Sequence, residues 1–109
     1  MTIVRIKKRG KSIKSVQALG HTGYAAEGED IVCAALSSVI QTAVLGLLQV
    51  AAINVLYDRD DEDGYLMFEL PDDLTEEQAH DADVILATMY MGIADLAESY
   101  SDYIKLEVK

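Results

Sequence analysis

A thiol and an imidazole are the smallest side-chain pair that can cleave an acyl bond by nucleophilic attack, and the chain holds one cysteine, Cys33, and two histidines, His21 and His80. Cys33 lies among Ile31, Val32, Ala34 and Ala35, where a lone cysteine commonly serves as a small buried hydrophobe. Its position argues for more. Asp30 has the residue type of a helix N-cap, which would put Cys33 in the first helical turn. There the unpaired backbone N–H groups and the helix dipole favour a thiolate, and the same N–H groups can stabilise an oxyanion. His21 opens a stretch containing Gly20, Gly23 and Gly28. Such a loop can double back and bring the imidazole beside the thiol. The separation of the two residues is not by itself diagnostic. Ser37, one turn beyond Cys33 on the same face, either bonds back to the preceding turn or donates to the histidine, the substrate or the thiolate. His80, amid Glu76, Glu77, Asp81 and Asp83, reads as a solvated histidine rather than the base.

Other site chemistries fit poorly. In the acidic run 58–63, taking Gly64 as the sixth position of a calcium loop puts Arg59 first and Leu70 twelfth, where carboxylates are required. One cysteine and two distant histidines do not make a zinc site without several carboxylates. The glycines match no phosphate-binding fingerprint. No metal and no cofactor is expected.

The elements that must position Cys33 and His21 follow from periodicity. Residues 2–8 alternate and predict a strand, 9–12 a turn, and 13–19 a second strand forming a hairpin. A long helix is predicted over about Ile31–Ala51, then a strand at 53–57, an acidic turn at 58–64 and a partner strand at 65–70 ended by Pro71. Thr75 with Gln78 forms a capping box opening a second helix. Its core stripe is predicted as Ala82, Ile85, Met89, Ile93, Leu96 and Tyr100. Residues 102–108 form the last strand, with Ile104, Leu106 and Val108 inward. The order ββαββαβ predicts an α+β fold, a mixed or antiparallel sheet packed with two helices.

With 109 residues, half of them apolar, the chain spans a single domain, residues 1–109, that can bury a core without disulfides. One free thiol suits a reducing, cytoplasmic setting. Residues 1–20 carry six basic residues and no apolar block, so no secretory leader is expected. The net charge of −10 divides into +6 over the first 14 residues and −16 over the rest. The acidic body argues against direct nucleic-acid binding and for attraction of a basic peptide. Ile31 to Tyr57 is free of charge and long enough to span a bilayer. Its interspersed Ser, Gln, Thr and Asn, with acidic flanks on both sides, predict a core helix and a strand instead, with no membrane association.

The segments Gly20-His21-Thr22-Gly23-Tyr24-Ala25 and Gly28-Glu29-Asp30-Ile31-Val32-Cys33-Ala34-Ala35-Leu36-Ser37 resemble the signature of the bacterial ribosomal-processing cysteine protease family (Prp). The family pattern is Gly-His-Ala-Gly-Tyr, then Gly-x-Asp-Ile-Val-Cys-Ala-x-x-Ser, and Thr22 stands where alanine is commoner. The resemblance implies a cysteine endopeptidase with Cys33 as nucleophile and His21 as general base and proton donor. It implies a mobile loop between them, carrying Gly20, Gly23 and Gly28, and a homodimer. The implied substrate is a large-subunit ribosomal protein, L-twenty-seven, whose N-terminal extension is removed during ribosome assembly. The alternatives are a non-catalytic ribosome-associated module, binding RNA through the basic hairpin at 5–14, and a structural dimer built on the apolar helix.

Overall fold

The structure, a computed structural model, describes residues 1–20, 27–60 and 64–109, with side chains in the first helix from Ile31 onward. Its elements are β1 (Thr2–Arg9), β2 (Ser12–Leu19), α1 (Glu27–Leu45, continued by a π-helical turn, Gly46–Val50), β3 (Leu56–Asp60), β4 (Tyr65–Glu69), α2 (Glu76–Ser99) and β5 (Ile104–Val108). The order is the predicted ββαββαβ. The five strands form one mixed sheet in the order β3-β4-β2-β1-β5. Strands β1/β2, β2/β4 and β3/β4 pair antiparallel, whereas β1/β5 pair parallel.

These pairings make β3 parallel to β2, and β5 parallel to β4. Each helix is therefore a crossover between parallel strands. The segment containing α1 carries the chain from β2 past β4 to one edge. That containing α2 carries it from β4 past β2 and β1 to the other. The helices pack on each other and on the sheet face formed by Val4, Ile6, Val16, Leu66, Phe68 and Ile104, all buried. Side-chain rows cross the sheet by register: Ile6 faces Val16, which faces Phe68, while Thr2 faces Ile104 in the row nearest the start of β1.

The inner stripe of α1 is Val32, Leu36, Ile40, Val44 and Leu47, apolar residues three to four apart. Ile31–Val50 is, among the described residues, long and apolar enough to cross a membrane by length and composition; a third of it is buried in this core. In α2 the deepest residues are Ala82, Leu86, Met89 and Ile93. The predicted stripe is thus corrected by one position: Leu86 takes the core site, Ile85 and Leu96 are partly buried at its margins, and Tyr100 caps the helix, exposed. Where the helices approach, a Cβ at Gly92 would come within 3.2 Å of Val39 Cγ1. Glycine lets the two backbones close at that point.

Two predicted boundaries shift. The apolar run 53–57 does not pair as a strand from its start. Ile53 donates its N–H to the Leu47 carbonyl at 2.8 Å, closing the end of the helix, and Leu70 donates to Lys14 on β2 at 2.9 Å. The β3/β4 ladder begins three residues later than predicted, with Leu56 opposite Glu69, and reaches into the acidic run as far as Asp60. Residues 58–60, predicted as turn, are strand; 61–63 lie outside the described residues. At α2 the expected capping box is present: the Gln78 N–H donates to Thr75 Oγ1 at 3.1 Å, and the Thr75 N–H to Gln78 Oε1 at 3.0 Å. Gln78 Nε2 also donates to the Ala52 carbonyl at 3.0 Å, tying the start of α2 to the end of the α1 segment. Thr75→Ala breaks the box, and a loss of about 1 kcal/mol in unfolding free energy is expected in urea titration.

Candidate active site

The parallel crossover from β2 puts the start of α1 at the end of the sheet where β2 finishes and where β1 and β5 begin. Cys33 is there, on the second turn of α1, as a free, half-buried thiol. The phase of the inner stripe, with Val32 and Leu36 against the sheet, turns Cys33 toward the start of β1. Its Sγ lies 3.1 Å from Thr2 Oγ1. Among the described residues Thr2 is the one polar residue that is buried, 5% exposed. Its N–H donates to the Tyr103 carbonyl just before β5, at 2.8 Å.

The helix start corrects one prediction. Because α1 begins at Glu27, Asp30 lies within its first turn and is not its N-cap. The acids Glu27, Glu29 and Asp30 then occupy the turn where the helix dipole favours negative charge, which suits the earlier start. Cys33 is moved beyond the helix's unpaired N–H groups, whose influence fades within that turn. Gly28, predicted in the loop, is helical. His21 and Gly23 lie outside the described residues.

Gly20, the residue before His21, is described and tightly constrained. Its φ is +100°, and a Cβ there would come 2.5 Å from the carbonyl oxygen of Met1. The exit of β2 is thus pressed against the residue preceding Thr2. Gly20, which precedes His21 in the sequence, therefore lies against the backbone of Met1 and Thr2.

Ser37 neither bonds back to the preceding turn nor meets Cys33 in the described contacts. It accepts a hydrogen bond from Gln41 Nε2 at 2.6 Å. Gln41 Oε1 in turn accepts from Arg59 Nη1 of β3 at 3.2 Å. Cys33, Ser37 and Gln41 recur at four-residue spacing and form a polar line along α1 that ends on the sheet's edge strand. His80 is exposed, its Nδ1 3.2 Å from Asp81 Oδ1, as the solvated reading expects. Among the described residues no group of three or more His, Cys, Asp or Glu is gathered as metal ligands would be. A cleft of about 330 Å³ between the β1–β2 turn and α2, lined by Lys8, Lys11, Ile13, Asp83, Leu86 and Tyr90 among others, contains none of the predicted site residues.

Sequence reasoning missed Thr2, Gln41 and Arg59. For Thr2 a signal existed: Thr2, Val4 and Ile6 share the inward face of an alternating strand, and a hydroxyl on a core face calls for a partner.

A family model described as cysteine protease Prp matches residues 1–105. The ribosomal processing cysteine protease Prp of Bacillus subtilis is 28% identical over 100 residues, covering 92% of this chain and 89% of that protein. The protein of the same name from Staphylococcus aureus is 27% identical over 106 residues, covering 97% and 95%. Among solved structures, one from Streptococcus mutans superposes with a TM-score of 0.87 at 27% identity, covering 99% of this chain and 93% of the other. The S. aureus ribosomal processing protease Prp in complex with a covalently linked product peptide superposes with a TM-score of 0.82 at 25% identity over the full length of both chains.

The constraint at Gly20 generates a prediction. Gly20→Ala must adopt a positive φ and push its Cβ into backbone that has no room, so a destabilisation of about 1–3 kcal/mol is expected in chemical denaturation.

Proposed function

The chain belongs to the Prp family of cysteine proteases, and from that premise we propose that it removes the N-terminal extension of the ribosomal protein L-twenty-seven by a Cys33–His21 dyad. The observation that carries this reading is a free thiol, half-exposed on α1, where the end of β2 and the start of β1 meet. His21 takes the Cys33 proton, and Sγ attacks the carbonyl carbon of the scissile peptide. The tetrahedral intermediate collapses, the C–N bond breaks, and His21 returns the proton to the departing amine. Water, deprotonated by His21, then attacks the thioester; the new carboxylate leaves and the thiol is restored.

The charge of the chain supports a basic substrate. With a net charge of −10, the enzyme attracts a peptide rich in Lys and Arg and disfavours wrong partners. The basic hairpin does not offset this, because much of it is occupied by the protein's own acids. Arg9 and Lys14 meet Asp72 at 3.0 and 2.7 Å, and Arg5 lies 3.8 Å from Glu107. This favours a role without direct nucleic-acid contact, and family membership removes the support for a non-catalytic module. The outward side of α1 favours a homodimer: it carries no charge from Ile31 to Val50, and Ile31, Leu45 and Val50 are 64%, 58% and 80% exposed. Such an uncharged face suits a second copy of the chain. A free thiol and ribosomal processing both favour the cytoplasm.

Two substitutions test the dyad against extended L-twenty-seven, with products read by mass spectrometry. Cys33→Ser is expected to lower turnover by about 10³-fold or more with the fold retained, because a site tuned for thiolate does not ionise a hydroxyl. Near-normal turnover in that variant overturns the assignment. His21→Ala is expected to lose most activity while unfolding free energy stays within about 0.5 kcal/mol, as the glycine-rich sequence around it predicts; a large stability loss returns His21 to a structural role.

A further inference from the structure

We infer that Thr2 is a working part of the active site, its hydroxyl donating a hydrogen bond to the Cys33 thiolate. The inference rests on Cys33 being the nucleophile, and goes beyond the dyad. Thr2 occupies a core position: it is 5% exposed, on the same strand face as the buried Val4 and Ile6. Valine has nearly the same shape and suits such a position better, since burying a hydroxyl is costly without a hydrogen-bond partner. The partner that the structure gives Thr2 Oγ1 is Cys33 Sγ, at 3.1 Å.

The hydroxyl is held in place from several sides. The Thr2 N–H is anchored on Tyr103, its Cα stands opposite Ile104 in the parallel ladder, and the preceding carbonyl is packed against Gly20. The donor is therefore prepositioned where charge develops on sulfur. In the neutral pair either group can donate. A thiolate has no proton, so in the ionised site only Thr2 can. A hydrogen bond to an ion is stronger than one between neutral groups. The contact consequently favours the charged form and also fixes the direction of the sulfur.

Proton accounting is simple. The Sγ proton goes to His21, and Thr2 keeps its own. When the thioester forms, sulfur loses its charge and the bond weakens to a neutral one; hydrolysis expels the thiolate, which regains the strong bond until His21 hands back the proton and the thiol is restored. This assigns to β1 the support that the start of α1 no longer supplies, because Cys33 lies a turn inside the helix. The other titratable or charged groups on the described segments that form this contact are the Met1 amino group next to Thr2 and, where the Tyr103 carbonyl holds the Thr2 N–H, Tyr103 and its neighbour Asp102; the side chains of His21 and Asp30 lie outside the described residues.

The test is the pH profile of alkylation by iodoacetamide in the intact protein. Cys33 is the chain's one cysteine, so the signal is unambiguous. Thr2→Val is expected to raise the midpoint by about one pH unit, slowing alkylation about tenfold on the acid side. Its melting temperature should not fall, and kcat for peptide cleavage should drop with KM unchanged. Thr2→Ser, which keeps the hydroxyl, should overlay the wild type. A Thr2→Val profile that overlays the wild type overturns the proposal, as does a Thr2→Ser profile shifted as far as that of valine. If Thr2→Val does not fold, Thr2→Ala is read by the same criterion. The two readings fail separately. Cleavage surviving in Cys33→Ala removes the nucleophile assignment, whereas an inactive Cys33→Ala with an unshifted Thr2→Val profile removes the role of Thr2 alone.

Discussion

The burial of one stripe of α1 sets the geometry on which the site depends. Val32, Leu36, Ile40, Val44 and Leu47 are each 2% exposed or less. Full burial of such a side chain contributes about 1.5–3 kcal/mol, so a rotation of the helix that exposed the stripe would forfeit several times that. The helix is thereby locked in rotation as well as position. With consecutive residues about 100° apart around the helix, fixing Val32 also fixes the direction of Cys33, and Ser37 and Gln41 follow on the same line. A residue with no packing role of its own is aimed by the packing of its neighbours.

The strand order supplies the other half of the arrangement. Since β1 lies between β2 and β5, its first residues are flanked by the exit of β2 and the entry of β5. Thr2 is thus reached by Tyr103 from one side, and Met1 by Gly20 from the other. Right-handed crossovers put both helices on one face, because the two start from antiparallel strands, β2 and β4, and run across the sheet in opposite directions. The start of α1 comes down over this junction for the same reason. Three segments distant in sequence are joined there through backbone contacts, which tolerate little change in chain direction. The positive φ of Gly20 is the local sign of that crowding.

Much of this was legible before the structure. Alternation in 2–8 and 13–19, the Thr75–Gln78 capping box and the breaker at Pro71 are local signals, and each element they announce is present. The errors occurred where tertiary contacts compete with local pattern. Ile53-Asn54-Val55 has strand-like composition, but its backbone is used to close a helix. Asp30 has the type of a cap, yet the helix extends past it to Glu27. In α2, Ile85 and Leu86 are adjacent and both aliphatic, so periodicity alone did not separate the residue facing the sheet from its neighbour. Cys33 was singled out by its motif. Its contact with Thr2 was not, because 31 residues of sequence separate the partners and only the sheet order brings them together.

Electrostatics follow from the same register. The sequence divides its charge sharply, with a basic first strand pair and an acidic remainder, and this invites a reading of the hairpin as an independent binding patch. Folding changes that reading. The Lys14 carbonyl accepts the Leu70 N–H, which holds the exit of β4 alongside β2. Lys14 Nζ also donates to the Leu70 carbonyl and to Asp72, while Arg9 reaches the same carboxylate. The Lys14 hydrogen bond, followed by that of Arg9, holds the Asp72 carboxyl below its ordinary range. Three of the six hairpin bases, Arg5, Arg9 and Lys14, thus answer acids of the body. The pairs are largely exposed and add little stability, but they blunt the positive patch where it begins. The field that a partner meets at long range is set by the excess of acids. Part of the charge asymmetry visible in the sequence is therefore met within the molecule, and an acidic excess remains.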